Sequence, residues 1–347
     1  MTGMFITLIG ECAVSELFIN KKIWSTFTEV EMENYVDKVF NYYRSKGFPY
    51  FNTDQEYRDK EFAKLMGYDD SFLYQEGDVK QTMHGLALAW SYFPHSFDVK
   101  CNSAMTPIQC FNDDEKLIKV IRKRIRMGDN MSDNGLRKMI KMFSGVQAVS
   151  NFRPTAASAI YKCFTQEGDT VYDMSSGFGG RLLGSIKAGV NYVGVDPSLK
   201  THQGLVDISS RYAPNSKIIL SGSEDYEPEP NSIDFAFTSP PYFDTEKYSD
   251  DEGQSYIKYP SQKDWLEGFL LRTFENVHLG LKDDKYMVIN IANVKSYHNL
   301  EEDTVKVAES AGFKLKSVDR LLLSNSTFKK GKSAYKSEPL FIFKKTS

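Results

Sequence analysis

Hydrophobic positions change their period near residue 146. Before that point apolar residues recur at three- and four-residue steps, the signature of amphipathic helices. In Glu29–Phe40 the residues Met32, Tyr35, Val36, Val39 and Phe40 share one helical face. Glu115–Met127 turns Leu117, Ile118, Ile121 and Ile125 inward, and a third helical stretch, Gly135–Phe143, follows a Ser-Asp-Asn-Gly turn. After residue 146 short apolar runs alternate with helical segments: Thr170–Asp173, Asn191–Asp196, Lys217–Leu220, Ile233–Phe237 and Tyr286–Ile291. Such alternation implies parallel pairing with helices on both faces. Two last runs, Phe313–Leu323 and Leu340–Phe343, have no helix between them and read as an antiparallel hairpin. The expectation is an α/β domain over residues 146–347, a doubly wound, mostly parallel seven-stranded sheet with an antiparallel terminal hairpin. Residues 1–145 form a mostly helical amino-terminal domain in this reading.

The first strand runs into Asp173-Met174-Ser175-Ser176-Gly177-Phe178-Gly179-Gly180, and a helix starting at Arg181 follows. Gly177 and Gly179 permit backbone conformations closed to other residues and let a ligand come close. The turn lies where open α/β sheets bind ligands, outside the carboxyl end of a strand. Asp196 ends the next strand, about twenty residues on, well placed for two ribose hydroxyls. The pattern lacks the third glycine of a dinucleotide fingerprint, and Asp173 would repel a pyrophosphate. A ligand with a positive centre, an ammonium or sulfonium, suits it instead. Asp225, after the third strand, either accepts from an adenine amino group or belongs to an acidic surface loop. Upstream, Phe152-Arg153-Pro154 opens a helix whose free N–H groups, with Arg153, either hold a carboxylate or simply cap the helix.

Composition narrows the setting. The 347 residues are 41% hydrophobic and 26% charged with a formal net charge of −3, an ordinary globular balance. No run is apolar for long enough to span a bilayer, and the amino terminus has no basic residue before its apolar patch, so no secretory signal is expected. Cys12, Cys101, Cys110 and Cys163 form no Cys-x-x-Cys pair, which fits a reducing cytoplasm and argues against zinc. The histidines are scattered without metal spacing, and no metal site is expected.

The fourth strand ends in Thr238-Ser239-Pro240-Pro241-Tyr242-Phe243. Neither proline can donate to a sheet ladder, so the backbone leaves the sheet in a stiff shape that presents a hydroxyl and a ring. Together with the glycine turn, this loop resembles the S-adenosylmethionine-dependent DNA methyltransferases that modify exocyclic amino groups, cytosine N4 or adenine N6. The resemblance covers residues 146 to the end, departs at Met174 where that family often has proline, and implies a Rossmann-like methyltransferase domain. It implies Ser239, Pro240, Pro241 and Tyr242 as the catalytic loop, with the Ser239 hydroxyl and the Pro240 carbonyl accepting from the target amino group. Tyr242 would stack on a base flipped out of the duplex. It further implies S-adenosyl-L-methionine held by Phe152, Arg153, Pro154, Asp173, Ser175, Gly177, Gly179, Asp196, Asp225 and Thr238. No cysteine follows a proline, so the covalent C5-cytosine route is excluded. Serine in the first position favours cytosine over adenine.

For DNA phosphates the candidates are Arg122, Lys123, Arg124 and Arg126 on the second helix, and Lys329, Lys330 and Lys332 in the terminal hairpin loop. A solvated helix face is the bland alternative. The connection from Phe243 to Gln262 reads as a loop over the flipped base or as a surface loop. Trp265 is expected to anchor the helix Asp264–Val277 to the sheet. Two other readings stay open: an RNA base methyltransferase, and a catalytically silent nucleic-acid-binding module. The chain is expected to act as a monomer or a homodimer.

Overall fold

The computed structural model describes residues 21–127, 130–248, 252–323 and 336–346. Their contacts divide them into two compact units, the described part of 1–51 with 97–149, and 52–96 with 150–346. The sequence places one boundary at residue 145; by contacts residues 52–96 group with the larger unit and the smaller unit runs to residue 149.

The larger unit holds a sheet of nine strands, not seven. In chain order they are β1 (Tyr74–Gln75), β2 (Asp78–Val79), β3 (Thr170–Asp173), β4 (Asn191–Asp196), β5 (Lys217–Leu220), β6 (Ile233–Thr238), β7 (Leu281–Asn290), β8 (Phe313–Leu322) and β9 (Ser337–Lys345). Across the sheet they lie in the order β1-β2-β8-β9-β7-β6-β3-β4-β5. Strands β5, β4, β3, β6 and β7 are parallel, and β9 runs antiparallel to both β7 and β8. The two extra strands are a hairpin turning at Glu76 and Gly77, both with positive φ, and β2 adds to the edge parallel to β8.

The chain winds outward from β3 to β5, then returns to β6 on the other side of β3. That reversal opens a crevice at the carboxyl ends of β3 and β6. Strand β6 is buried at every position, as a central parallel strand must be. On one face Tyr172, Val195, Ala236, Met287 and Ile289 pack with Trp265, Phe269, Phe274 and Leu300. On the other, Phe235 stacks on Phe164 at 5.0 Å and Phe237 meets Phe152 edge-on at 5.2 Å. Helices flank the sheet: α1 (Gln55–Met66), α2 (Leu86–Tyr92), α3 (Pro154–Phe164), α4 (Gly180–Ala188), α5 (Leu199–Tyr212), α6 (Arg272–Gly280) and α7 (Leu300–Ser310). Trp265 is fully buried, but it opens a π-helical stretch, Trp265–Leu271, ahead of α6.

In the smaller unit the helix Glu29–Lys46 starts with a capping box between Thr28 and Glu31. It packs Tyr35, Val36, Val39 and Tyr43 against Leu117, Val120, Ile121 and Ile125 of the helix Asp114–Arg126, and against Leu136 and Ile140 of Asp133–Lys141. No helix among the described residues is long and apolar enough to cross a membrane.

Candidate functional site

At the crevice the glycine turn is fixed from three directions. Gly177 has φ +56°, and a Cβ there would meet nothing nearer than the Ser175 carbonyl oxygen at 3.8 Å. The backbone at Gly177 is thus left-handed and open to an approaching ligand. At Gly180, by contrast, a Cβ would lie 1.9 Å from the Phe152 carbonyl oxygen and 2.7 Å from Asn151 Oδ1. The segment Asn151–Arg153 therefore lies directly on the turn, and Asn151 Nδ2 donates to the Phe178 carbonyl at 2.8 Å. The Phe178 ring is buried among Trp90, Phe93, His95 and Tyr248, with centroids 5.4 to 6.0 Å away. Burial, reinforced by Lys200, pushes the His95 ring down to about 4, so it is neutral at physiological pH.

Asp173 has a different task from the one expected. Its carboxylate is fully buried and is held by internal donors: Arg181 Nε at 2.8 Å and the Tyr192 hydroxyl at 2.7 Å on Oδ2, the Thr238 hydroxyl at 2.8 Å and the Ser175 N–H at 3.3 Å on Oδ1. Its charge is matched by the buried Arg181 guanidinium, which also donates to the Ser175 carbonyl. The expectation of a carboxylate left free for a cationic ligand is corrected accordingly. Asp173 and Arg181 build the turn, and Thr238 serves as a donor to that pair.

Asp196 stands at the end of β4 as expected. Its Oδ2 accepts from the Gly177 N–H and its Oδ1 from the Ser198 N–H, each at 3.0 Å. Burial pushes its carboxyl up to about 7 against those two donors, and the nearby Asp173 adds to the rise. An unfolded aspartate releases its proton near pH ~3.9. The folded chain keeps that proton to about pH 7, so the stability Asp196 contributes is complete below the unfolded value and is lost as pH rises through about 7. Raising the pH from about 5 to about 8 should lower the urea midpoint of the wild type more than that of Asp196→Asn. Equal shifts would refute the assignment. A ligand donating two hydroxyls to this carboxylate favours its ionised form.

Asp225 is half exposed and accepts from Lys258, which also bonds the buried Glu224 at 2.9 Å. Burial pushes the Arg153 guanidinium down, and that group has no hydrogen-bond or ion-pair partner among the described residues. Pro154 begins α3, and Phe152 packs edge-on against Phe237. Asp196 thus presents a carboxylate beside the open backbone of Gly177.

The Ser-Pro-Pro-Tyr loop starts one residue after Thr238, whose hydroxyl bonds the glycine turn through Asp173. Ser239 is half-buried. The Tyr242 hydroxyl lies 3.4 Å from the Asn290 carbonyl and 3.4 Å from Glu338 Oε2. Next, Phe243 turns at φ +55° and buries its ring edge-on against Trp265 and Tyr297. The connection beyond is less open than expected, since it contains the short helix Ser255–Lys258 and is pinned by Lys258.

Among the basic candidates, Arg122 pairs with Glu33 and Arg124 donates to the Asn130 carbonyl at 3.1 and 3.0 Å. Lys123, Arg126 and the further basic residue Lys138 are exposed, and their side chains have no partner among the described residues. Lys329, Lys330 and Lys332 lie outside the described residues. Sequence reasoning missed Arg181, Tyr192 and Asn151. Only Arg181 left a signal, a cation in the first turn of a helix that follows the glycine turn.

No family model and no curated protein matches the chain. Solved structures do. A SAM-dependent methyltransferase from Methanosarcina mazei is 14% identical with a TM-score of 0.37, over 54% of this chain and 96% of that one. A putative RNA methyltransferase from Pyrococcus horikoshii is 14% identical with a TM-score of 0.37, over 56% and 83%. The 1,6-didemethyltoxoflavin-N1-methyltransferase of Burkholderia thailandensis, with 1,6-didemethyltoxoflavin and S-adenosylhomocysteine bound, is 14% identical with a TM-score of 0.38, over 55% and 77%. Likenesses this distant decide nothing about the site, which rests on its own geometry.

Proposed function

We propose that this chain transfers a methyl group from S-adenosylmethionine to the exocyclic amino nitrogen of a DNA base, with cytosine N4 ahead of adenine N6. The observation that carries the reading is the bond from Thr238 to Asp173, 2.8 Å long. It ties the start of the Ser-Pro-Pro-Tyr loop to the glycine turn, so a ligand at Gly177 and a base at Ser239 would be neighbours. Asp196 would take the ribose hydroxyls, Arg153 the carboxylate, and the open backbone of Gly177 the body of the cofactor. When bound, the cofactor supplies an electrophilic methyl group and leaves as a neutral thioether.

The chain's own part is to make a poor nucleophile competent. The amino lone pair is delocalised into the base, and acceptors at its hydrogens favour a pyramidal nitrogen and stabilise the positive charge that grows there. Ser239 Oγ and the Pro240 carbonyl are such acceptors, and the two proline rings hold them in place. Exposed Lys123, Arg126 and Lys138 of the smaller unit offer phosphate contacts.

The test is methyl transfer from labelled cofactor to duplex DNA and to RNA in parallel, followed by nucleoside analysis. N4-methylcytosine or N6-methyladenine in the DNA supports the proposal. Label appearing only in RNA, or binding without transfer, overturns it in favour of an RNA enzyme or a silent module.

A further inference from the structure

Lys258 ties the connection beyond the Ser-Pro-Pro-Tyr loop back to the sheet. It ends the short helix Ser255–Lys258, and its ammonium bonds two consecutive carboxylates past β5, Glu224 at 2.9 Å and Asp225. Those carboxylates are placed very differently: the Glu224 side chain is 1% exposed and that of Asp225 50%. Lys258 is the one ion-pair partner of each among the described residues. The turn beneath them is fixed, since Asn276 Nδ2 of α6 donates to the Ser223 and Glu224 carbonyls at 3.0 and 3.2 Å. Ser223 Oγ also bonds Thr273 Oγ1 at 2.9 Å. The segment that carries Lys258 is fixed as well. Trp265 Nε1 donates to Ser255 Oγ at 3.2 Å, and a Cβ at Gly268 would lie 2.3 Å from the Tyr259 ring. At its other end a Cβ at Gly253 would meet Pro197, the residue after Asp196, at 3.4 Å. The stretch Gly253–Tyr259 therefore runs from the end of β4 to the turn after β5.

Strands β4 and β5 are parallel neighbours with Asp196 opposite Leu220, so the turn after β5 begins about 5 Å to the side of Asp196. A nucleoside with its ribose on Asp196 would carry its base toward that turn. Ile257, next to Lys258 in the chain, and Leu199, two residues past Pro197, are exposed apolar side chains suited to a base. With the proposed cofactor use as its premise, we infer that Lys258 is a positioning residue for the adenine end of the cofactor. It holds Asp225 by Oδ2 and leaves Oδ1, which accepts nothing among the described residues, for the adenine amino group. A carboxylate has two oxygens and only accepts, so it can bind a cation and an amino hydrogen together. Without the lysine, each arriving ligand would have to order a half-exposed side chain, at a cost in affinity. A base with a carbonyl in place of the amino group meets Asp225 with no hydrogen between the two oxygens, and is refused. Lys258 itself touches no reacting atom and acts through Asp225.

The experiment measures calorimetric binding of S-adenosylhomocysteine and of S-inosylhomocysteine, which has a carbonyl where adenine has its amino group. The proteins are wild type, Lys258→Met, Lys258→Arg and the double variant Glu224→Gln with Lys258→Met, in which no buried carboxylate loses its countercharge. Wild type should bind the adenosyl ligand about 10–100-fold more tightly than the inosyl one. Lys258→Met and the double variant should bind the adenosyl ligand about 2–10-fold more weakly, while the inosyl ligand changes less than about twofold. Lys258→Arg should keep the wild-type preference. Equal weakening of both ligands in the double variant would make Lys258 a pin for the loop alone and overturn the inference. A wild type that does not distinguish the two ligands overturns it as well. A wild type that binds neither ligand overturns the cofactor use proposed above, and the inference with it.

Discussion

Arg181→Met should destabilise the larger unit by about 3–5 kcal/mol, the usual consequence of removing one partner from a buried ion pair. Arg181 and Asp173 are 6% and 0% exposed in their side chains, so neither charge has water to fall back on. Without the guanidinium, Asp173 keeps three donors, Tyr192, Thr238 and the Ser175 N–H, but no countercharge among them. Methionine fills similar volume, so the loss reports the charge and not a cavity. Adding Asp173→Asn should restore much of the stability, because the pair is then removed as a unit. Urea denaturation of the two single variants and the double variant checks this. A loss under about 1 kcal/mol in Arg181→Met would mean that the pair is not buried in solution.

The same pair shows where sequence reading stops. The strands were legible because parallel strands covered on both faces are dominated by apolar residues, as Ile233, Phe235, Ala236 and Phe237 show, and because glycine and proline punctuate their ends. Asp196 and the Ser-Pro-Pro-Tyr loop were legible for the same reason, since the strand positions fix where they project. The edge hairpin was hidden because its turn uses Glu76 at φ +51°, where asparagine or aspartate would have announced a two-residue turn. Residues 52–96 read as part of a helical domain because α1 and α2 are helices, and helical period does not say which core a helix joins. Asp173 was misassigned because its partners come from α4, β4 and β6, and no local pattern links those positions.

Ser239→Ala should lower kcat for methyl transfer by about 10²–10³-fold, the cost of losing one preorganised acceptor or donor at a site of developing charge. The fold has little stake in this hydroxyl. Ser239 is half-buried, and after truncation Tyr242 still has the Asn290 carbonyl and Glu338 to bond. Cofactor affinity should therefore stay within about threefold, because the interaction lost is one that strengthens as charge develops, not one that binds the ground state. Steady-state kinetics with calorimetric cofactor binding separates these terms. A variant with wild-type kcat would place the acceptor elsewhere, and one that loses cofactor binding in proportion to rate would make Ser239 part of the cofactor pocket.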